Sequence, residues 1–131
     1  MNKLFELGID EDTIKFMIEQ CNNILNMSDE VIDEKINVLR YLDCSERQIR
    51  NIVESNPYYL NRITSDVIQL VNYLKQIGFS DINLLFESNP YFLNYDVFEI
   101  EDYINNKLDN GIELDIIIDN IRDNPYIIDE G

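Results

Sequence analysis

The tripeptide Asn-Pro-Tyr occurs three times in this chain at nearly constant spacing. The copies are Asn56-Pro57-Tyr58, Asn89-Pro90-Tyr91 and Asn124-Pro125-Tyr126. Their prolines are the only ones among 131 residues, and they lie 33 and 35 residues apart. A fixed period of roughly 20–50 residues is the signature of stacked repeats. The spacing therefore predicts a chain built from repeated supersecondary units.

A fourth, degenerate copy precedes these three, because Asn22 lies 35 residues before Pro57 and takes the place of the proline. Apolar residues recur four and eight positions before each anchor, on one face of a helix. Proline disfavours the helical conformation in the residue before it, so we expect this short helix A to end at the Asn-Pro pair. Those apolar pairs are Ile14/Ile18, Ile49/Val53, Ile82/Phe86 and Ile117/Ile121, and the pairs two and three positions after the anchors are Ile24/Leu25, Tyr59/Leu60, Phe92/Leu93 and Ile127/Ile128.

A longer amphipathic helix B is predicted after each of the first three anchors, from apolar pairs ten and fourteen positions on. In the third copy the stripe meets Lys107, so this helix B is expected to shorten or to slip toward Leu108. The predicted fold class is all-α: a short right-handed or curved α-solenoid of helix pairs. We predict a single domain over residues 1–131, with repeats 1 to 4 at residues 7–42, 43–77, 78–110 and, as a partial copy, 111–131.

Capping residues support these helices. Ser45 with Gln48, and Asp96 with Glu99, have the spacing of a capping box, and Ser65 indicates another helix start. A left-handed residue is expected where one helix ends before the next helix A. The residues at those places are Gly8, Asp43, Gly78 and Gly111.

The chain is strongly acidic, with a formal net charge of −16 at pH 7. Part of this charge lies in first turns of helices, where carboxylates complement the helix dipole. The excess in the last third has no such explanation: residues 81–131 carry thirteen carboxylates against the cations Lys107 and Arg122. Such a field repels nucleic acid and anionic membranes.

The sequence lacks the residues of the common catalytic and metal sites. It has no histidine, and it has no glycine-rich phosphate loop. The two cysteines, Cys21 and Cys44, are interpreted as small buried residues. The carboxylates of residues 109–115 do not have EF-hand spacing. We therefore expect no enzyme activity, no metal and no cofactor, and the short apolar runs predict a cytoplasmic protein without a membrane span.

Four arginines cluster around repeat 2: Arg40, Arg47, Arg50 and Arg62. Arg47 and Arg50 are three residues apart, so they share a helix face. One interpretation is that the cluster forms ion pairs with Glu46, Glu54 or Asp43. The alternative is a patch that binds phosphate or carboxylate groups.

The post-proline tyrosines Tyr58, Tyr91 and Tyr126 are expected to follow one edge of the solenoid, since they recur at the same point of each repeat. They either pack over the junctions between repeats or form an aromatic row for a partner, because tyrosine is enriched at interfaces. The C-terminal carboxylates Asp115, Asp119 and Asp123 are further candidates for contact with a partner.

Two segments resemble the repeat of mitochondrial transcription termination factors. They are Leu7-Gly8-Ile9 with Asn22-Asn23-Ile24-Leu25, and Ile77-Gly78-Phe79 with Pro90-Tyr91-Phe92-Leu93. The resemblance covers nearly the whole chain. It implies two antiparallel helices and a short 3₁₀ turn in each repeat, and nucleic-acid binding on a basic concave face. Tetratricopeptide repeats share the period, but they need small residues, chiefly alanine, where helices cross, and this chain has none.

These observations favour a non-enzymatic binding module with a protein partner. In its sharper form the hypothesis is an acidic decoy, a nucleic-acid mimic that occupies and inhibits a basic nucleic-acid-binding protein. The alternative is direct nucleic-acid binding in transcription regulation, as the resemblance implies, through Arg40, Arg47, Arg50 and Arg62. We expect a monomer.

Overall fold

The computed structural model of the protein describes residues 2–130, so the predicted end points Met1 and Gly131 lie outside the described residues. Within that range the chain is helical throughout, with short connections. The α-helices are α1 (Asn2–Glu6), α2 (Glu11–Gln20), α3 (Asp29–Tyr41), α4 (Glu46–Ser55), α5 (Thr64–Ile77), α6 (Ile82–Ser88), α7 (Val97–Asp109) and α8 (Leu114–Asp123). The 3₁₀ helices are η1 (Asn22–Asn26), η2 (Pro57–Asn61), η3 (Pro90–Asn94) and η4 (Pro125–Ile128).

Equivalent elements of successive repeats pack against one another. The predicted helix A is α2, α4, α6 and α8 in turn, and the predicted helix B is α3, α5 and α7. Helix α2 packs on α4 and α4 on α6, while α3 packs on α5 and α5 on α7. The 3₁₀ helices follow the same rule, η1 on η2 and η2 on η3. The predicted all-α solenoid is confirmed, and whether residues 1–131 form one independent domain stays a prediction.

Helix α1 is an element that the sequence patterns did not predict. It packs against α3, so it extends the row of B helices ahead of repeat 1. Its Leu4 is fully buried. This burial, rather than the intrinsic preference of five residues, holds so short a helix in place.

The Asn-Pro pair ends helix A as predicted. Asn56 is the C-cap of α4, where its backbone N–H donates to the Ile52 carbonyl, and Pro57 begins η2. Asn89 and Asn124 are likewise the C-caps of α6 and α8, and η3 and η4 begin at the prolines that follow them. In repeat 1, Cys21 is the C-cap of α2 and η1 begins at Asn22, so the turn forms there without a proline.

Most predicted caps are present. Both hydrogen bonds of the capping box join Ser45 and Gln48, and the box of Asp96 and Glu99 is also formed. The start predicted at Ser65 is wrong, because α5 begins one residue earlier at Thr64. Left-handed residues occur at each predicted junction, with φ of 112° at Gly78 and 66° at Asp43. Glycine adopts this conformation without steric cost, and aspartate is among the residues that tolerate it.

The core follows the predicted stripes, with two exceptions. Tyr59 and Phe92, two positions after their anchors, are fully buried, whereas Leu25 in repeat 1 is 57% exposed. Helix α7 does not shorten, since its 13 residues equal those of α3, and Leu108 in its last turn is 41% exposed. The buried stripe of α7 ends at Ile104 instead. These differences arise because packing partners, not periodicity, decide which side chains lose contact with water.

Candidate functional site

The asparagine of the repeated motif connects repeats 2 and 3. The Asn56 side chain is fully buried, and its Nδ2 donates to the Pro90 carbonyl and to Asn94 Oδ1, each at 3.0 Å. Asn94 Nδ2 donates back to Asn56 Oδ1 at 3.1 Å. Buried amides need such partners, because an unpaired one costs about 1–3 kcal/mol. The sequence pattern predicts only that Asn56 ends the helix. Its recurrence was the missed signal, since proline alone is enough to end a helix.

This connection is not repeated at the other junctions. Asn89 is equally buried, yet its Oδ1 has no hydrogen-bond partner within residues 2–130. Repeat 4 has Asp129 where repeat 3 has Asn94. Repeat 1 has Cys21, also buried, in the place of Asn56. The reciprocal amide pair is therefore a property of the middle junction.

Arg62 crosses the same junction. Its Nε donates to the Leu93 carbonyl at 3.2 Å and its Nη2 to the Tyr95 carbonyl at 3.0 Å. Its Nη1 forms an ion pair with Asp96 at 3.0 Å. Planar guanidinium groups suit several simultaneous acceptors. Arg62 thus joins repeat 2 to the end of η3 and the start of α7, and these contacts differ from the predicted ion pairs with Glu46, Glu54 or Asp43.

Arg40 forms one of the predicted ion pairs. Its Nη2 and Nε donate to the two carboxylate oxygens of Glu46, at 2.8 and 3.3 Å, and its Nη1 donates to Asn37. The hydrogen bond to Glu46 raises the pKa of the guanidinium above its usual value. The pair is exposed to solvent, so it contributes little to stability.

Arg47 and Arg50 differ from the other two arginines. Neither side chain has a hydrogen bond or an ion pair to any residue between 2 and 130. Arg50 is half-buried and lies against Gly8, where a Cβ would stand 3.1 Å from Nη1. Arg40 and Arg62 therefore form polar contacts within the chain. Arg47 is exposed and Arg50 is half-buried, and neither guanidinium has a polar partner among residues 2–130. A role for these four in binding stays a prediction.

The three post-proline tyrosines lie where the sequence predicted them, at the second residue of η2, η3 and η4. Tyr58, Tyr91 and Tyr126 are 49%, 47% and 54% exposed. Because η2 packs on η3, the first two lie along one edge of the stack. Each ring keeps about half of its surface for a partner, and whether a partner binds there stays a prediction.

The candidate carboxylates of repeat 4 form a row on α8. Asp115, Asp119 and Asp123 are all exposed, and their spacing of four residues places them on one face, about 6 Å apart along the helix. The one cation of that helix faces elsewhere. Arg122 Nη2 donates to the Ser80 carbonyl and hydroxyl, and its guanidinium lies 5.4 Å from the centre of the Phe79 ring. The row is therefore not neutralised by its own helix.

The same imbalance holds for the whole surface. All 26 carboxylate side chains are at least partly exposed. Eight of the ten cations already have a partner within residues 2–130. Lys35 is buried and donates to Thr64 Oγ1 at 2.6 Å, and desolvation lowers its pKa, although Glu34 opposes this shift. What the molecule presents to a partner is mainly negative charge.

The Cys44 thiol is not activated, and the described residues form no metal site. Burial raises the pKa of the Cys44 thiol to about 11, and the carboxylates of Glu87 and Asp43 add to the shift. A thiol that stays protonated at neutral pH is a poor nucleophile. Among residues 2–130, no group of three cysteine or carboxylate side chains is placed to hold a metal ion. Nor is any helix there both long and apolar enough to cross a bilayer.

The family comparison agrees with this architecture. A model of the mTERF family matches residues 1–128, which is nearly the whole chain. No curated protein matches this chain. The match and the repeated unit of helix A, 3₁₀ helix and helix B support the same assignment, and the resemblance noted in the sequence is confirmed. This chain belongs to the mTERF family.

Proposed function

We propose that the protein is a non-enzymatic binding module whose acidic surface binds a basic protein. In the sharper form of the proposal, it imitates the charge of a nucleic acid and occupies, as an inhibitor, the basic groove of a nucleic-acid-binding protein. The supporting observation is that its exposed carboxylates greatly outnumber the cations left without an internal partner.

Helix α8 offers the clearest surface for such an interaction. The carboxylates of Asp115, Asp119 and Asp123 repeat along one face, as phosphate charges repeat along a nucleic-acid strand. Arg122, turned toward Ser80, does not offset them. Complementary potentials of this kind speed association and make it sensitive to salt.

A binding role fits the chemistry of the side chains better than catalysis. General acid–base catalysis at neutral pH most often uses histidine, which the chain lacks. Burial keeps the Cys44 thiol protonated. Most of the buried surface is apolar and joins one repeat to the next. The fold therefore supplies an extended outer surface, which is what repeat proteins use for recognition.

Direct nucleic-acid binding in transcription regulation is the second candidate function. It is favoured by the two arginines, Arg47 and Arg50, that have no polar partner within the described chain. They project from one face of α4, the helix A of repeat 2. Two phosphate contacts would give weak, strongly salt-dependent binding, because the surrounding carboxylates oppose it.

The first test is capture of partners from a nuclease-treated extract on the immobilised protein, at low and at high salt. The matched control is the isosteric triple variant Asp115→Asn, Asp119→Asn and Asp123→Asn. We expect the wild type to retain a basic nucleic-acid-binding protein that salt or added duplex DNA releases, and the variant to retain much less. Retention that persists unchanged in high salt would contradict the proposal.

The second test separates the two functions. Fluorescence anisotropy of labelled DNA and RNA oligonucleotides at low ionic strength measures direct binding. The double variant Arg47→Glu and Arg50→Glu removes the available arginines, and Lys15→Glu reverses an exposed charge elsewhere. Binding by the wild type that only the double variant abolishes would establish the second candidate. No binding at low salt would remove it.

A further inference from the structure

An open groove lies between helix B of repeat 1 and helix B of repeat 2. Its volume is about 680 Å³, and α3 and α5 form its two walls. The aliphatic part of the lining consists of Val38 from α3, Leu42 just after that helix, and Ile68 and Val71 from α5. Ile68 is 44% exposed, so an apolar side chain faces water in the groove.

The groove lies where repeat 1 has a smaller side chain than repeat 2. Val38 lies sixteen positions after its anchor, and the corresponding residue of repeat 2 is Tyr73. The phenol of Tyr73 is partly buried beside α7, where desolvation and the nearby Glu101 raise its pKa. A ring therefore occupies the next junction at the place where Val38 leaves room.

The polar groups of the groove are unevenly distributed. Glu30, Asp33 and Glu34 line the end near the start of α3. Lys3 Nζ is 3.9 Å from Asp33 and is also paired with Glu6, so it offsets little of this charge. The cation of the opposite end is Lys75, whose ammonium stands 5.7 Å from the centre of the Tyr41 ring. One end of an apolar groove is thus strongly negative.

We propose that this groove docks a basic amphipathic helix of a partner protein. The inference rests on the proposed function, because the occupant is a segment of the basic partner. From Glu30 to Tyr41 the groove follows α3 for about 16 Å, which is three turns of helix. Helices that bind in grooves place apolar residues at i, i+3 or i+4, and i+7 against the floor. Lysine or arginine at one end of that helix then meets the carboxylates of α3.

The test uses a synthetic peptide of about twelve residues with leucines at helical spacing and lysines in one terminal turn. A control peptide carries glutamates in place of the lysines. Val38→Tyr fills the groove with the side chain that repeat 2 already accommodates, and Ile116→Tyr alters an exposed apolar residue on α8. We expect anisotropy to show about tenfold weaker binding to the Val38→Tyr protein and unchanged binding to Ile116→Tyr. Equal binding of the lysine and glutamate peptides, or full affinity in Val38→Tyr, would overturn the inference.

Capture from extract separates this inference from the proposed function. Val38→Tyr should retain less of the basic protein than the wild type does, with an unchanged melting temperature. If the triple asparagine variant of α8 loses the partner while Val38→Tyr retains it fully, the groove is not the docking site and the proposed function stands. If the wild type captures no basic protein although the lysine peptide binds in the groove, the proposed function fails instead.

Discussion

Two junctions of the solenoid, the first between repeats 1 and 2 and the second between repeats 2 and 3, have the same apolar positions. They differ in their polar contacts. At the first, the Tyr59 hydroxyl donates to the Lys35 carbonyl at 2.6 Å, and Lys35 Nζ donates to Thr64. At the second, Asn56 and Arg62 provide the polar contacts, from the end of helix A and the end of η2. The recurring unit therefore specifies the apolar core, and each junction has its own polar connection.

The residues at equivalent places explain how this difference is tolerated. Cys21 takes the place of Asn56, Met27 that of Arg62, and Leu70 that of Lys35. All three replacements are apolar or weakly polar. At the first junction the contacts of the second are missing together with their donors, because Cys21 and Met27 replace Asn56 and Arg62. Such a joint absence is nearly neutral for stability, whereas removing one member of a pair is costly. Each of these polar contacts therefore occurs at only one of the two junctions, so a consensus of the repeats would not show it.

The largest effect is expected at the amide pair of the second junction. Asn56→Ala leaves the Asn94 side chain and the Pro90 carbonyl without their partner, so the free energy of unfolding should fall by about 3 kcal/mol. Urea denaturation followed by circular dichroism measures it. Asn89→Ala is the matched control, and we expect a smaller loss because its Oδ1 has no partner among the described residues. Equal losses would show that the two junctions do not differ in this way.

Arg62→Met installs the side chain that repeat 1 carries at the same place. It removes the ion pair to Asp96 and two hydrogen bonds to backbone carbonyls. We expect a loss of about 2 kcal/mol in the same denaturation experiment. Arg47→Met, which changes an exposed arginine without such contacts, should stay within about 0.5 kcal/mol of the wild type. A loss as large as that of Arg62→Met would contradict the assignment.

Tyr59→Phe gives the first junction the phenylalanine that repeat 3 has at the equivalent position. The ring stays buried and only the hydrogen bond to the Lys35 carbonyl is lost, so we expect about 1 kcal/mol. Tyr58→Phe, at the exposed neighbouring residue, should have no measurable effect on the urea midpoint. If both variants match the wild type, the hydroxyl of Tyr59 does not stabilise this junction.

The smallest effect, absent at neutral pH, is alkaline destabilisation through Cys44. Its pKa is about 11 in the folded protein against 9.0 when unperturbed. Between these values the unfolded chain loses the proton while the folded chain keeps it, so stability falls as pH rises from 9.0 toward about 11. Burial also raises the pKa of Tyr59, which extends the loss above pH 10. Melting temperatures should decline over this range, and less steeply in Cys44→Ala. An identical decline in that variant would exclude Cys44 as a cause.

Local signals account for what could be predicted of the fold. The capping box of Ser45 and Gln48 and the left-handed Asp43 depend on residues within a few positions, and both are present. The start predicted at Ser65 is wrong by one residue, because α5 begins at Thr64 without a side-chain cap. Helix α1 was missed because it depends on packing against α3.

The candidate site, like the fold, was predictable from the sequence only in part. The sequence placed the acidic row of α8 and the tyrosine edge, because helical spacing and the repeat period determine which residues share a face. It did not separate Arg62, which is engaged with repeat 3, from Arg47, which has no polar partner within residues 2–130. It also did not reveal the groove, which depends on Val38 and Ile68 of two different repeats.

By itself the sequence determined the repeat, its helices, the end of each helix A and the excess of negative charge, because all of these depend on spacing along the chain or on composition. Only the tertiary structure decided which asparagine and which arginine join repeats, which side chains remain available, and where a groove opens. Those outcomes depend on partner residues about one repeat away along the chain. Every copy shares the repeat pattern, so the pattern carries no information about the differences between copies.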